Sequence, residues 1–221
     1  GLALSQKKDV ISIDGDGSVL MNMNTLSTIG NRAPTNFTLL IIDNGSYEVL
    51  MEAGDIITES ISSGGKLLLC GNGGSAADAQ HLAAEFLIRL TSDVNRNSIP
   101  ALSLAQDTST LTACINDFGS DDIFKRVFSA LSSEGDVLLA ITTSGNSKNI
   151  IETLKLANER EIYSLGFLGN DGGEALSYCD AAFVVPDKTT ARIQESHITA
   201  GHALLQYVED QLLESNWLTK E

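Results

Sequence analysis

The chain has 221 residues, 43% of them hydrophobic and 19% charged, and carries a formal net charge of −15. That length suits one full core, or one core with a small appendage. So large an excess of carboxylates argues against partners such as nucleic acid or anionic membrane, and no stretch approaches the roughly 18 apolar residues of a membrane helix.

The first residues place Lys7 and Lys8 beside Asp9 and lack the apolar run of a signal peptide. Three cysteines, Cys70, Cys114 and Cys179, are far apart, odd in number and without metal-ligand spacing. They read as reduced core thiols, which points to the cytoplasm.

In chain order, apolar runs predict strands at residues 10–13, 38–42, 66–70, 101–105, 137–142, 162–168 and 181–185. Helical spacing falls at 52–62, 76–90, 123–131, 148–158 and about 191–213. Strand and helix alternate across short Gly-rich junctions, which is the pattern of an α/β fold with a doubly wound parallel sheet flanked by helices. A seam near residue 50 separates a short β-α-β appendage, residues 1–49, from the main domain, residues 50–221.

The run Leu67-Leu68-Leu69-Cys70-Gly71-Asn72-Gly73-Gly74-Ser75 is a buried strand breaking into a glycine turn and then a helix. Glycines let backbone approach an anion at a helix start, and Ser75 adds a hydroxyl. Alone this is weak, because strand-to-helix turns are often Gly-rich for steric reasons. A second copy of the plan strengthens it. Leu138 to Thr142 runs into Thr143, Ser144, Gly145, Asn146 and Ser147, and a helix follows from Lys148. Thr142, Thr143, Ser144 and Ser147 offer neutral donors suited to a phosphate monoester. The plainer reading is that Ser147 is an N-cap and Ser144-Gly145 a turn; both hold if the cap and the anion site coincide. Neither turn ends in the Gly-Lys-Ser/Thr of a nucleotide-binding loop, and this region has no Gly-x-Gly-x-x-Gly.

His81 and Glu85 share one face of the helix after the first turn, and Gln194 and His202 share a face of the last helix. His197 lies at another angle. If the two helices meet, these groups supply acid–base partners or four nitrogen and oxygen metal ligands. Spacing alone does not make them meet.

In this order, Cys70-Gly71-Asn72-Gly73-Gly74-Ser75, then Asp78, His81 and Glu85, then Asn116-Asp117-Phe118-Gly119, then Thr143-Ser144-Gly145-Asn146-Ser147, then Asp171-Gly172-Gly173, then Arg192-Ile193-Gln194-Glu195, the chain resembles the phosphoheptose isomerases of the sugar isomerase (SIS) family. The resemblance covers about residues 51–213. It implies a flavodoxin-like sheet, a homotetramer, and interconversion of sedoheptulose 7-phosphate and glycero-manno-heptose 7-phosphate for bacterial surface polysaccharide. It further implies that Ser75, Thr143, Ser144 and Ser147 grip the phosphate, with Gly73 and Gly74 in the turn, and that Asn72, Asp107 and Gln194 contact the sugar. Glu85 and His202 fall where the family has its acid–base pair. His81, Glu85, Gln194 and His202 fall where some members bind zinc, and one Glu cannot freely be both ligand and base. The alternative is a non-catalytic phosphosugar-binding or protein-interaction module. Such relatives lack the Glu and the last-helix His, and both are present here.

The family's usual first long helix has no counterpart. Residues 1–49 instead resemble a piece of the thiamine-diphosphate-dependent decarboxylases of phosphonopyruvate or sulfopyruvate type. Gly15-Asp16-Gly17-Ser18 and Asp43-Asn44-Gly45-Ser46-Tyr47 carry this second resemblance. There Asp16 and Asn44 fall where that family holds its magnesium. A whole site of that kind needs a full domain and a partner domain, so thiamine diphosphate is not expected to bind.

Overall fold

The computed structural model describes residues 10–15, 37–42, 46–105 and 107–219, the first two segments and residues 46–47 by backbone alone. The chain divides into two compact units, Gly1–Val49 and Leu50–Glu221. In the first, β1 (Val10–Gly15) and β2 (Phe37–Ile42) pair in parallel, in register from Val10 with Phe37 to Gly15 with Ile42. The helix expected between them, and the Asp16 and Asn44 pair, lie outside the described residues.

After α1 (Ser46–Ser62), five strands form one sheet: β3 (Leu67–Gly71), β4 (Ala101–Ser103), β5 (Val137–Thr142), β6 (Tyr163–Gly169) and β7 (Ala181–Val185). The order is β4-β3-β5-β6-β7 and every pairing is parallel. Every side chain of β3 and β5 is buried, because helices cover both faces. Leu68, Cys70, Leu138 and Ala140 turn toward one core, with Phe124, Phe128, Ile150 and Leu154 from the covering helices. Leu67, Leu69, Leu139 and Phe167, of opposite parity, are equally buried. The strand order reverses between β3 and β5, so the chain leaves their carboxyl ends in opposite directions and opens a crevice there.

Five helices surround the sheet after α1: α2 (Gly74–Leu87), α3 (Thr108–Phe118), α4 (Ile123–Leu131), α5 (Lys148–Glu159) and α6 (Thr190–Glu214). Two differ from the sequence expectation. The helix expected to reach residue 90 stops at Leu87, where the Arg96 guanidinium takes the carbonyls of Glu85 (2.9 Å) and Phe86 (2.9 Å), and the Ile99 amide also bonds Phe86 (3.0 Å). The α3 helix was not anticipated. Its Thr108, Thr110 and Thr112 are β-branched and favour strands, yet Asp107 caps its start, accepting from the Thr110 amide, and Gly119 ends it.

Candidate active site

The glycine turn leaves β3 beside the hydroxyl turn leaving β5, since Gly71 and Ile141 are register partners. Gly73 precedes α2 with a left-handed φ of 57° and no side-chain cap, so this helix start presents backbone rather than a capping hydroxyl. Ser75 is buried, and its amide closes the turn onto the Asn72 carbonyl at 3.0 Å. On the β5 side, Ser147 is the N-cap of α5 but makes no side-chain capping bond. Its hydroxyl instead meets Thr142 Oγ1 at 3.2 Å, which also meets Ser144 Oγ at 3.4 Å. The three hydroxyls therefore converge on the amino end of α5, where unpaired amides and the helix dipole favour an anion. The Asn170 side chain donates to the Thr143 carbonyl at 2.9 Å and fixes the turn from β6. A cleft of about 600 Å³ opens beside it, lined by Ser144, Asn146, Asn170, Asp171, Pro186, Asp187 and Lys188.

Two further expected residues have partners of their own. Asn72 forms a reciprocal amide pair with Asn149 on the first turn of α5, at 2.8 and 2.9 Å. Sequence reading missed Asn149; its place two residues after the Ser147 cap was the available signal. Asp107 is engaged as the N-cap of α3, accepting from the Thr110 amide at 3.0 Å and its hydroxyl at 2.9 Å. Those bonds hold its carboxyl below the ordinary range, the amide being the larger cause. Among the described residues no hydrogen bond brings Asp107 to the other candidates.

The polar pairs on the helices do meet. His81 Nε2 and His202 Nε2 are 2.9 Å apart with the rings edge to face, and Glu85 Oε1 lies 3.7 Å from His81 Nε2. Close helix packing makes this possible. A Cβ on Gly201 would stand 2.7 Å from Leu82 Cδ1, and one on Gly74 would strike the Gln194 carboxamide. These contacts ascend both helices together, so α2 and α6 run parallel and Gln194 sits where α2 begins. At 2.9 Å one imidazole donates and the other accepts, so at least one of the two is neutral. Burial, and secondly the facing His81, push His202 below the ordinary imidazole value, while Glu85 opposes them. Asp78, one turn before His81, has a buried Oδ2 without a hydrogen-bond partner, and burial raises its carboxyl. His197 is separate: it is wholly buried between Phe167 and Phe183, with Nε2 3.1 Å from the Leu168 carbonyl.

Among His81, Glu85, Gln194 and His202, the two imidazoles and the carboxylate are donors that zinc takes, and the carboxamide adds a neutral oxygen. As they stand, His81 and His202 are hydrogen-bonded to each other and Glu85 stands off at 3.7 Å from His81. Among the described residues no group of three or more His, Cys, Asp or Glu is gathered so as to hold a metal. The fit to zinc thus lies in donor chemistry, and closure requires Glu85 to approach, and also Gln194, which lies against Gly74 at the start of α2.

Comparison with known proteins agrees with this architecture. The SIS domain matches residues 41–169. The phosphoheptose isomerase of Chlorobaculum tepidum is 47% identical over 166 residues, covering 75% of this chain and 79% of that protein. That of Paramagnetospirillum magneticum is 52% identical over 151 residues, covering 68% and 78%. Among solved structures, the phosphoheptose isomerase of Neisseria gonorrhoeae superposes with a TM-score of 0.68 at 42% identity, covering 74% of this chain and 86% of that one. The one from Francisella tularensis gives 0.72 at 31% identity, covering 86% and 96%. A sheet with its topological switch point between β3 and β5, and a His-Glu-His cluster on two packed helices, thus occur in a chain that belongs to the SIS-domain family and, within it, to the phosphoheptose isomerases.

Proposed function

We propose that the chain interconverts sedoheptulose 7-phosphate and glycero-manno-heptose 7-phosphate. The observation that carries this reading is the meeting of His81, Glu85 and His202, the first two on the helix that the glycine turn opens. Aldose–ketose isomerisation removes a proton from the carbon beside the carbonyl and returns one to its neighbour through an enediol. Glu85 is the base that takes and returns the carbon-bound proton. His202, neutral at physiological pH by virtue of its burial, exchanges the proton between the two oxygens. Ser75, Thr143, Ser144 and Ser147, with the Gly73 and Gly74 backbone, anchor the phosphate, and Asn72 and Gln194 orient the sugar. Asp107 has a free exposed face beyond its capping bonds and completes the sugar contacts.

In place of free acid–base action by Glu85 and His202, the other use proposed for these residues is zinc, held by His81, Glu85, Gln194 and His202. When bound it supplies Lewis-acid polarisation of the carbonyl. The enzyme is proposed to work as a homotetramer in the cytoplasm; no helix among the described residues is long and apolar enough to cross a membrane.

The test is a coupled assay of aldose formation from sedoheptulose 7-phosphate, with metal analysis of the same preparation. Turnover that vanishes in Glu85→Gln and in His202→Ala supports the assignment. A folded wild-type protein that binds the phosphosugar without turnover refutes it and leaves a binding module.

A further inference from the structure

The loop between α2 and β4 carries a buried cation. Arg96 is 6% exposed, its side chain fully covered, and its Nε ion-pairs with Glu209, which is itself wholly buried on α6. The rest of the guanidinium faces the end of α2: one nitrogen donates to the Glu85 carbonyl at 2.9 Å, the other to Phe86 at 2.9 Å and to Asn97 at 3.0 Å. The Glu85 and Phe86 carbonyls are ones that a helix end leaves without intrahelical partners. Arg96 therefore grips the backbone of Glu85 itself, and through Glu209 fastens it to α6. Glu209 lies seven residues after His202, two turns along, or about 10 Å on the same face.

The two helices are thus joined before, within and beyond the His81–Glu85–His202 cluster, by the Gly74–Gln194 contact, the Leu82–Gly201 contact and the Arg96–Glu209 pair. Packing alone does not call for ions here. Removing two charges from water costs several kcal/mol, and apolar side chains of similar volume commonly hold helices as well or better. Glu209 keeps a buried Oε1 with no partner, so the pair is not optimised for stability. A planar fork that binds three carbonyls and one carboxylate in fixed directions does something an apolar contact cannot: it sets the height and rotation of the last turn of α2.

We propose that Arg96, paired with Glu209, is a positioning residue that holds Glu85 at its working distance from His202. This rests on the acid–base reading of Glu85 and His202, and wild-type turnover is measured first so that failure of that reading is seen on its own. The variants are Arg96→Lys, which keeps the charge and loses the fork, and the double variant Arg96→Met with Glu209→Leu, which removes both charges. Where either fails to give a cooperative unfolding transition, Arg96→Gln with Glu209→Gln replaces it. The expected result is a folded protein whose KM for sedoheptulose 7-phosphate stays within about 2-fold while kcat falls about 100-fold, the scale of a 1 Å misplacement of a reacting group. Arg96→Lys is expected to recover part of the kcat lost in the double variant. A folded variant with kcat within about 3-fold of wild type overturns the proposal. So does a rise in KM that matches the fall in kcat, because that pattern is general loosening rather than misplacement of one carboxylate.

Discussion

At the scale of single residues, the proposed site separates groups that hold from groups that react. Ser147 is free of capping duty and points its hydroxyl at Thr142. A hydroxyl bonded to a charged phosphate contributes about 1.5–3 kcal/mol, so Ser147→Ala is expected to raise KM for the phosphosugar about 10- to 100-fold with kcat nearly unchanged. Steady-state kinetics decides, and a fall in kcat alone would place Ser147 elsewhere. Glu85→Gln is expected to do the reverse, lowering kcat about 10²- to 10⁴-fold at similar KM. The depressed His202 also predicts a pH profile. If neutral His202 is the active form, kcat/KM falls on the acid side only below the ordinary imidazole value of about 6.5. His81 is the second cause of the depression, so His81→Gln moves that acid limb upward; an unmoved limb sinks the assignment.

At the scale of elements, the α2–α6 pair decides whether the reacting groups meet. Gly201 and Leu82 touch with no room for a methyl group, and Leu82 is fully buried. Gly201→Ala is expected to cost about 1–3 kcal/mol as an overpacked contact, and to lower kcat by parting His81 from His202. Denaturant unfolding and the coupled assay on one preparation check both halves.

The same pair marks the limit of sequence reading. The strand-turn-helix form of the two candidate turns was legible because its parts are contiguous. His81 and Glu85 were legible because four residues make one helical turn. The contact of His81 with His202 spans 121 residues, and that of Arg96 with Glu209 spans 113, so no local period encodes either. The α3 helix was hidden because its threonines have strand propensity and only Cys114 on it is buried; the Asp107 and Gly119 caps were its sole clear signals.

At the scale of the whole molecule, a buried imidazole links stability to pH. Burial pushes His197 down to about 4 from the ordinary 6.5, against the pull of its bond to Leu168. Between those values the unfolded chain binds a proton that the folded chain refuses. Stability is therefore fully present above pH 6.5 and is lost as pH falls toward 4. The loss is expected to reach about 2–3 kcal/mol by pH 4.5. Many carboxylates titrate over the same range, so the quantity to measure is the difference in unfolding free energy between pH 7 and 4.5, compared with His197→Gln. Equal differences in the two proteins would show that His197 contributes nothing to acid sensitivity.

The two turns proposed for the phosphate leave the carboxyl ends of β3 and β5, whereas His81, Glu85 and His202 stand on the faces of α2 and α6. The two are therefore separately mutable inheritances. On the proposed reading, substitution of Glu85 or His202 alone would strip the chemistry and leave the two turns, with their strands and helix starts, untouched. A gene copy that drifts in this way becomes a receptor for the metabolite its ancestor consumed, one step from sensing it.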